Sequence, residues 1–189
     1  TNPFCFFGNP VEEFQVGSNG LIRFDVDPND DSNAWNLLNN PLPNNSNSAL
    51  GEGNVFTPVH DIDPAASTGE EIAWEIIGEY PNRVLAVSYF NVEMYGCSSA
   101  IATHMAVFYE TTNIIDIYIE NAPFCSSFNN NKAVGIQNHD GTIAYVPPGR
   151  NTNENGGWTT QEEAWRFTPS GDTVTLFEWF VGDQASGLG

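Results

Sequence analysis

Carboxylates and amides crowd into two short stretches, and closely spaced hard oxygen ligands are what a calcium ion requires. The first stretch offers four such ligands at alternate positions: Asp25, Asp27, Asn29 and Asp31. The glycine and the distal glutamate of an EF-hand are missing, so this is not an EF-hand. The alternatives are calcium held by another kind of loop, turn-capping side chains, and solvated charges.

The second acidic stretch, H-D-I-D-P, follows a predicted strand. Asp61 and Asp63 alternate there, and they either contribute to a calcium site or cap the turn by accepting backbone N–H bonds. We predict no cofactor other than this structural calcium.

Catalytic motifs are not evident in the sequence. It has no G-x-S-x-G motif, and His60, His104 and His139 lie far apart, without an H-x-x-x-H or C-x-x-C pair. Carboxylates are too abundant for any two of them to indicate a glycosidase. We therefore predict a protein that is not an enzyme.

The charge of the chain excludes two classes of partner. Its 189 residues carry 24 Asp and Glu against five Lys and Arg, a net charge of −19, which disfavours nucleic acids and anionic membranes. The sequence contains no apolar run long enough to span a membrane, so we expect no membrane insertion. The absence of a signal-peptide pattern at Thr1 predicts a processed or excised piece.

Three cysteines, Cys5, Cys97 and Cys125, leave one without a mate in any single pairing. We predict a Cys97–Cys125 disulfide because the two residues flank a predicted strand pair over 101–120, and a hairpin brings such ends together. The alternative is three buried thiols in a reducing compartment. The Asn- and Gly-rich, Lys-poor composition favours an extracellular setting, where disulfides persist.

Short alternating or apolar runs between Asn, Gly, Pro and Asp clusters predict an all-β fold, an antiparallel β-sandwich-like domain with long Asn/Gly-rich loops. Ser18-Asn19-Gly20 predicts a hairpin over 14–25. The predicted strands are 14–16, 21–25, 55–60, 71–77, 84–92, 102–109, 114–120, 132–138, 143–146, 164–168 and 173–180.

Two long stretches without periodicity, 28–53 and 147–157, are predicted to be either functional loops or tolerated insertions. Trp35 and Trp158 lie in them, and each either stacks on a glycan or fills a core. The stretch around Trp35 is expected to form a short helical turn. The other tryptophans fall in strand patterns and are assigned to cores: Trp74, Trp165 and Trp179.

Several motifs resemble the nidogen-like β domain of extracellular proteins. They are F-F-G-N from Phe6, V-G-S-N-G-L-I-R-F from Val16 and H-D-I-D-P from His60. Further motifs, F-Y-E-T-T-N-I-I-D-I-Y-I from Phe108, V-G-I-Q-N from Val134, and the segments 145–152 and 163–169, resemble large multidomain adhesins of Bacteroidota, which are exported by the type IX secretion system and associated with gliding motility.

The resemblance implies a non-enzymatic module of a secreted or cell-surface adhesin that contacts a cell-surface or substratum ligand, such as a glycan. It also implies a bridge between Cys97 and Cys125, and type IX machinery as a partner during export. The alternative is a carbohydrate- or protein-binding accessory domain of a secreted hydrolase.

The same resemblance implies a domain over 1–170, and a linker with the first strand of an immunoglobulin-like repeat over 171–189. The chain would then be a fragment whose first strand, within 1–8, pairs with a segment upstream, where Cys5 would find its mate. Asp172-Thr173-Val174 resembles the O-glycosylation pattern of secreted Bacteroidota proteins, so Thr173 is a predicted glycan acceptor.

Overall fold

A computed structural model describes most of the chain. The described residues are 4–29, 34–66, 69, 71–152, 157–170 and 173–180, with 128, 170 and 173–180 described by their backbone.

The protein is all-β, as predicted, with antiparallel sheets. Its strands in chain order are β1 (Phe4–Phe6), β2 (Asn9–Val11), β3 (Gln15–Val16), β4 (Leu21–Arg23), β5 (Asn54–Val59), β6 (Glu71–Ile77), β7 (Val84–Met94), β8 (Cys97–Tyr109), β9 (Ile115–Ala122), β10 (Ala133–Gln137), β11 (Ala144–Tyr145), β12 (Thr160–Ser170) and β13 (Thr173–Phe180). A single 3₁₀ turn, Ser127–Asn130, precedes β10 in this description.

The strands form two main sheets and a hairpin. One sheet has the order β13-β12-β9-β8-β7-β6, the other has the order β11-β10-β5-β4-β3, and β1 pairs with β2. The predicted hairpin over 14–25 is confirmed, since β3 pairs with β4. The turn at Phe7 and Gly8 folds β2 back onto one edge of β1, and an upstream partner for the first strand stays a prediction.

The main core lies where β5 packs against β8 and β9. Ile115, Ile117 and Ile119 of β9 are buried because they fall on one face of a strand with a period of two. Val55 of β5 joins this core, whereas the next residue, Phe56, belongs to a second one. Strand β5 is therefore buried on both faces.

The second core is formed by the first long loop. Leu37, Leu42 and Leu50 pack with Phe56 against the outer side of β5. No helix occurs in 34–53 of the described chain, so the expected helical turn at Trp35 is wrong; Leu37, fully buried, attaches the loop instead.

The two long loops are joined to each other and to β10 by polar contacts. Asn151 donates to the carbonyl of Leu42 at 2.9 Å and accepts from its N–H at 3.0 Å. Gln137 accepts from the N–H of Asn44 at 2.6 Å and donates to its carbonyl at 3.1 Å. Such contacts satisfy backbone groups that the covering loop would otherwise leave buried without partners.

Strand β13, predicted to open a following domain, pairs with β12 along its length and extends the six-stranded sheet. The described residues do not include 181–189, so the immunoglobulin-like repeat stays a prediction. Thr173 begins β13, Asp172 lies outside the described residues, and the glycosylation of Thr173 also stays a prediction.

The predicted disulfide between Cys97 and Cys125 is confirmed, with the two Cα atoms 5.8 Å apart. It joins the start of β8 to the loop that follows β9. Met94 and Ala100 are buried beside it.

Removing this disulfide should destabilise the protein. The bond closes a loop of 28 residues, and the loop-entropy relation gives a loss of about 3 to 4 kcal/mol in the free energy of unfolding. The comparison is between the C97S/C125S variant and the parent in urea, with C5S as the control that keeps the bond. An unchanged urea midpoint in the double variant would contradict the prediction.

Candidate functional site

A cleft of about 460 Å³ lies beside the edge strand β6 and is named here the β6 cleft. It lies between the N-terminal hairpin segment, residues 4–14 with β1 and β2, and one end of β6, β7 and β8. Its lining is mainly apolar and aromatic: Phe4, Val11, Glu12, Glu13, Phe14, Phe24, Ile76, Tyr80, Arg83, Leu85, Phe108 and Glu110.

Strand alternation positions one wall of the cleft. Ile72, Trp74 and Ile76 fall on one face of β6. Ile72 packs against the main core, Trp74 meets the ring of Phe14 edge-on at 5.3 Å, and Ile76 lines the cleft. The Trp74 and Ile76 side chains are 57% and 50% exposed. The assignment of Trp74 to a core is therefore wrong, because more than half of its side chain is exposed on the edge strand of the six-stranded sheet.

Aromatic contacts hold the opposite wall. The ring of Phe4 lies edge-on to Phe108 with centroids 5.8 Å apart, and Phe24 contacts both rings at 5.7 and 5.6 Å. The N–H of Cys5 donates to the side chain of Asn113 at 2.8 Å. The N-terminal hairpin is thereby attached to the six-stranded sheet at the base of the cleft.

The rim of the cleft is acidic. Three carboxylates, Glu12, Glu13 and Glu110, face a single cation, Arg83, which gives a rim charge of 1 − 3 = −2. The Arg83 guanidinium forms a two-pronged ion pair with Glu110, one prong being Nε to Oε2 at 2.9 Å. This hydrogen bonding lowers the pKa of Glu110 and raises that of Arg83. Glu12 and Glu13 therefore dominate the field at the cleft mouth.

The lining of the cleft is suited to holding a ligand. Its polar groups are three glutamates, Arg83 and Tyr80, and the remaining lining residues are aliphatic or aromatic. Aromatic and aliphatic side chains with a few charged groups are typical of a ligand-binding cleft.

The first acidic stretch is engaged in protein contacts. The Asp25 carboxylate lies 2.7 and 2.8 Å from Nδ1 of His139 and accepts from the N–H of Gly53 at 2.8 Å. Asp27 accepts from the N–H and the side chain of Asn29. The predicted fourth ligand, Asp31, lies outside the described residues.

The second acidic stretch brings two carboxylates close to each other. Partial burial, and then the charge of Asp63, raise the pKa of Asp61 to about 6. Asp63 accepts from the N–H of Ala65 at 3.2 Å, which is the turn-capping alternative. Across the described ranges there is no cluster of three or more His, Cys, Asp or Glu that would hold a metal.

The two loop tryptophans differ in exposure. Trp35 is half exposed, so its predicted glycan contact stays a prediction. Trp158 is only 7% exposed, with Arg150 at 5.0 Å and Lys132 at 5.7 Å from the ring centroid. Its prediction as a glycan-stacking residue is wrong, because buried cationic neighbours occupy the space that a sugar would need.

Lys132 is fully buried among carbonyl oxygens. Its ammonium donates to the backbone and side-chain oxygens of Asn130 and to the carbonyl of Trp158. Burial lowers the pKa of Lys132 to about 8. Through its bond to the carbonyl of Trp158, the Lys132 ammonium joins the loop before β12 to the segment that leads into β10.

Sequence analysis missed a buried histidine pair. His60 and His104, which sequence spacing keeps apart, meet with their Nε2 atoms 3.3 Å apart, since β5 packs against β8. Thr57 donates to the carbonyl of Gly20, so it accepts from Nδ1 of His104 at 3.2 Å. It follows that Nε2 of His60 donates to His104 and both rings are neutral.

Burial lowers the pKa of both histidines, that of His104 to about 3. Coulombic interactions with His104 and with Lys132 lower the pKa of His60 further. Alternating strand patterns report burial but not which strands face each other, so no sequence signal identifies this pair.

The two antiparallel sheets and the aromatic, acid-rimmed cleft beside β6 define an all-β module with a candidate binding cleft. The chain belongs to the NIDO-related (nidogen-related) family, whose model matches residues 2–178. Domains of this family are non-catalytic and typically extracellular. No curated protein and no solved structure matches the chain. In the described part of the chain, no helix is both long and apolar enough to cross a membrane.

Acid should destabilise the fold through the histidine pair. The folded-state pKa values lie below the ordinary 6.5, so below that pH the unfolded chain binds protons that the native state does not. Stability is then lost as pH falls from about 6.5, by about 1.4 kcal/mol per pH unit for each proton. Urea unfolding across this window should show the loss.

Two variants test the source of this pH dependence. H60Q keeps a donor to His104 and should reduce the slope. Asp61 opposes the effect, because its raised pKa stabilises the protein on acidification, so D61N should steepen the slope. A slope unaffected by H60Q would contradict the assignment.

Proposed function

We propose that the domain is a non-enzymatic binding module of a secreted or cell-surface adhesin. The observation that supports this most directly is the β6 cleft, where Trp74 and Ile76 remain exposed at the open edge of the main core. Large exposed apolar side chains grouped beside a cleft are typical of interaction sites. Membership of a typically extracellular, non-catalytic family supports the same role.

The ligand is a cell-surface or substratum component, a glycan or a protein. Adhesion in gliding motility and export by the type IX system are the setting that the sequence resemblance favours. Half-exposed Trp35 supports a second candidate, a carbohydrate-binding accessory domain of a secreted hydrolase. A catalytic domain in the same gene would decide for the second candidate.

Adhesion can be measured with beads coated with the purified domain and washed over glass, a polysaccharide film and a protein film. We expect retention on at least one surface, and at least a threefold loss for I76K, which places a charge at the cleft. I143K is the matched control, because Ile143 is 48% exposed, much like Ile76, but lies near β11 in the other sheet. Retention no better than that of uncoated beads would refute the function; equal loss in both variants would refute the role of the cleft.

We also propose a structural calcium ion at the Asp61–Asp63 pair or at the Asp25 stretch. Burial, and then the charge of Asp63, raise the pKa of Asp61, and a bound cation would offset both by stabilising the carboxylate form. Binding to the native state alone should raise the melting temperature in millimolar calcium relative to excess chelator. D63N should abolish the shift if the ion is at the second stretch, and D27N if it is at the first; superimposable parent curves would refute calcium binding.

A further inference from the structure

Strand β6 ends the six-stranded sheet in the described chain and leaves one edge of its backbone unpaired by any described strand. Exposed sheet edges in natural proteins are usually protected by charged side chains, above all lysines, or by prolines, bulges or short strands. Strand β6 has no lysine, proline or bulge over its seven residues, E-I-A-W-E-I-I, carries two glutamates as its charged side chains, and pairs with β7 in continuous register. It is therefore able to accept a further strand.

The two faces of β6 differ in chemistry. Trp74 and Ile76 share one face, on which Ile76 lines the β6 cleft and Trp74 contacts Phe14 of its lining. The exposed carboxylates Glu71 and Glu75 lie on the opposite face, together with the exposed Ile77. A strand that paired with β6 would place alternate side chains beside each of these sets. The matching sequence alternates apolar and cationic residues.

The charge of the protein selects the partner. The chain's own groups engage all five of its cationic side chains. Lys132 is buried, and the four arginines form ion pairs: Arg23 with Glu52, Arg83 with Glu110, Arg150 with Glu163 and Arg166 with Asp116. Glu71, Glu75 and, at the cleft rim, Glu12 and Glu13 are not balanced by any described cation near β6. With a net charge of −19, a second copy of the chain is repelled and a cationic segment is attracted.

We propose that β6 binds an extended peptide segment of a partner protein by strand addition, and that this segment alternates apolar residues with lysine or arginine. The inference rests on the proposed binding function and names its partner class. Main-chain hydrogen bonds to β6 supply affinity. Apolar side chains beside Trp74 and Ile76, and cations beside Glu71 and Glu75, supply specificity.

The probe is a synthetic seven-residue peptide of alternating lysine and valine with blocked ends, titrated calorimetrically into the whole chain. We expect binding that weakens with added salt, together with new hydrogen-exchange protection in β6. Three control peptides should bind at least tenfold more weakly. They are a Glu/Val alternation, a peptide of the same composition with lysines and valines in separate blocks, and the Lys/Val peptide with N-methylated backbone amides.

Variants locate the site. E71K/E75K reverses exposed charges only, so it should weaken the Lys/Val peptide at least tenfold and strengthen the Glu/Val peptide. I76K should weaken binding similarly, and I143K should leave it unchanged. Circular dichroism and urea unfolding of each variant confirm that the fold is retained.

Several outcomes would overturn the proposal. Equal binding of the block-sequence or N-methylated peptide would mean simple charge attraction, and concentration-dependent dimers in sedimentation would make a second copy the occupant of β6. No binding of the Lys/Val peptide would also refute it. If coated beads still adhere in an I76K-sensitive manner while the peptide fails, the adhesive function stands and only strand addition is wrong.

Discussion

Burial of β5 on both faces is the constraint on which the rest of the structure depends. One face needs a partner sheet, and β8 and β9 supply it through residues such as Ala106 of β8 and Ile117 of β9. The other face needs a cover, which the first long loop supplies through Leu37 and Leu50. The length of that loop is therefore a packing requirement, and its asparagines satisfy backbone groups that the cover buries. The two alternatives for this loop, a functional loop and a tolerated insertion, stay predictions, and the structure adds that the loop packs on β5.

The same constraint explains where the molecule is open. The sheet containing β5 has short strands and contacts β8 and β9, whereas β6 lies at the far edge of the larger sheet. Near β6, Phe14 of the segment that follows β2 meets the ring of Trp74 edge-on. The β6 cleft is thus the place where two sheets of unequal width fail to cover each other.

Local sequence signals predicted the individual strands well. The bounds of β6 and β13 agree with the sequence-based ranges, because alternating side chains are bounded there by Gly, Pro and polar residues. The Asn-Gly turn before Leu21 fixed its hairpin, and proximity across β8 and β9 gave the disulfide. These features depend on neighbours in sequence or on a single strand pairing.

Features that depend on the meeting of distant segments were not predictable from the sequence. The His60–His104 pair, the burial of Trp158 and the exposure of Trp74 all follow from which sheet covers which strand. The alternating sequence pattern around a strand tryptophan is the same whether that tryptophan is buried by an opposite layer or exposed. The cleft could not have been found from motifs for the same reason.

The burial of Lys132 has a consequence for chemical labelling. It is the only lysine of the chain, and its ammonium is enclosed by carbonyl oxygens and by the indole of Trp158. The folded domain therefore exposes no side-chain amine to acylating or crosslinking reagents. Acylation of that lysine requires the loop before β12 to separate from β10, so the rate at which the side-chain amine is acylated reports how often this part of the protein opens.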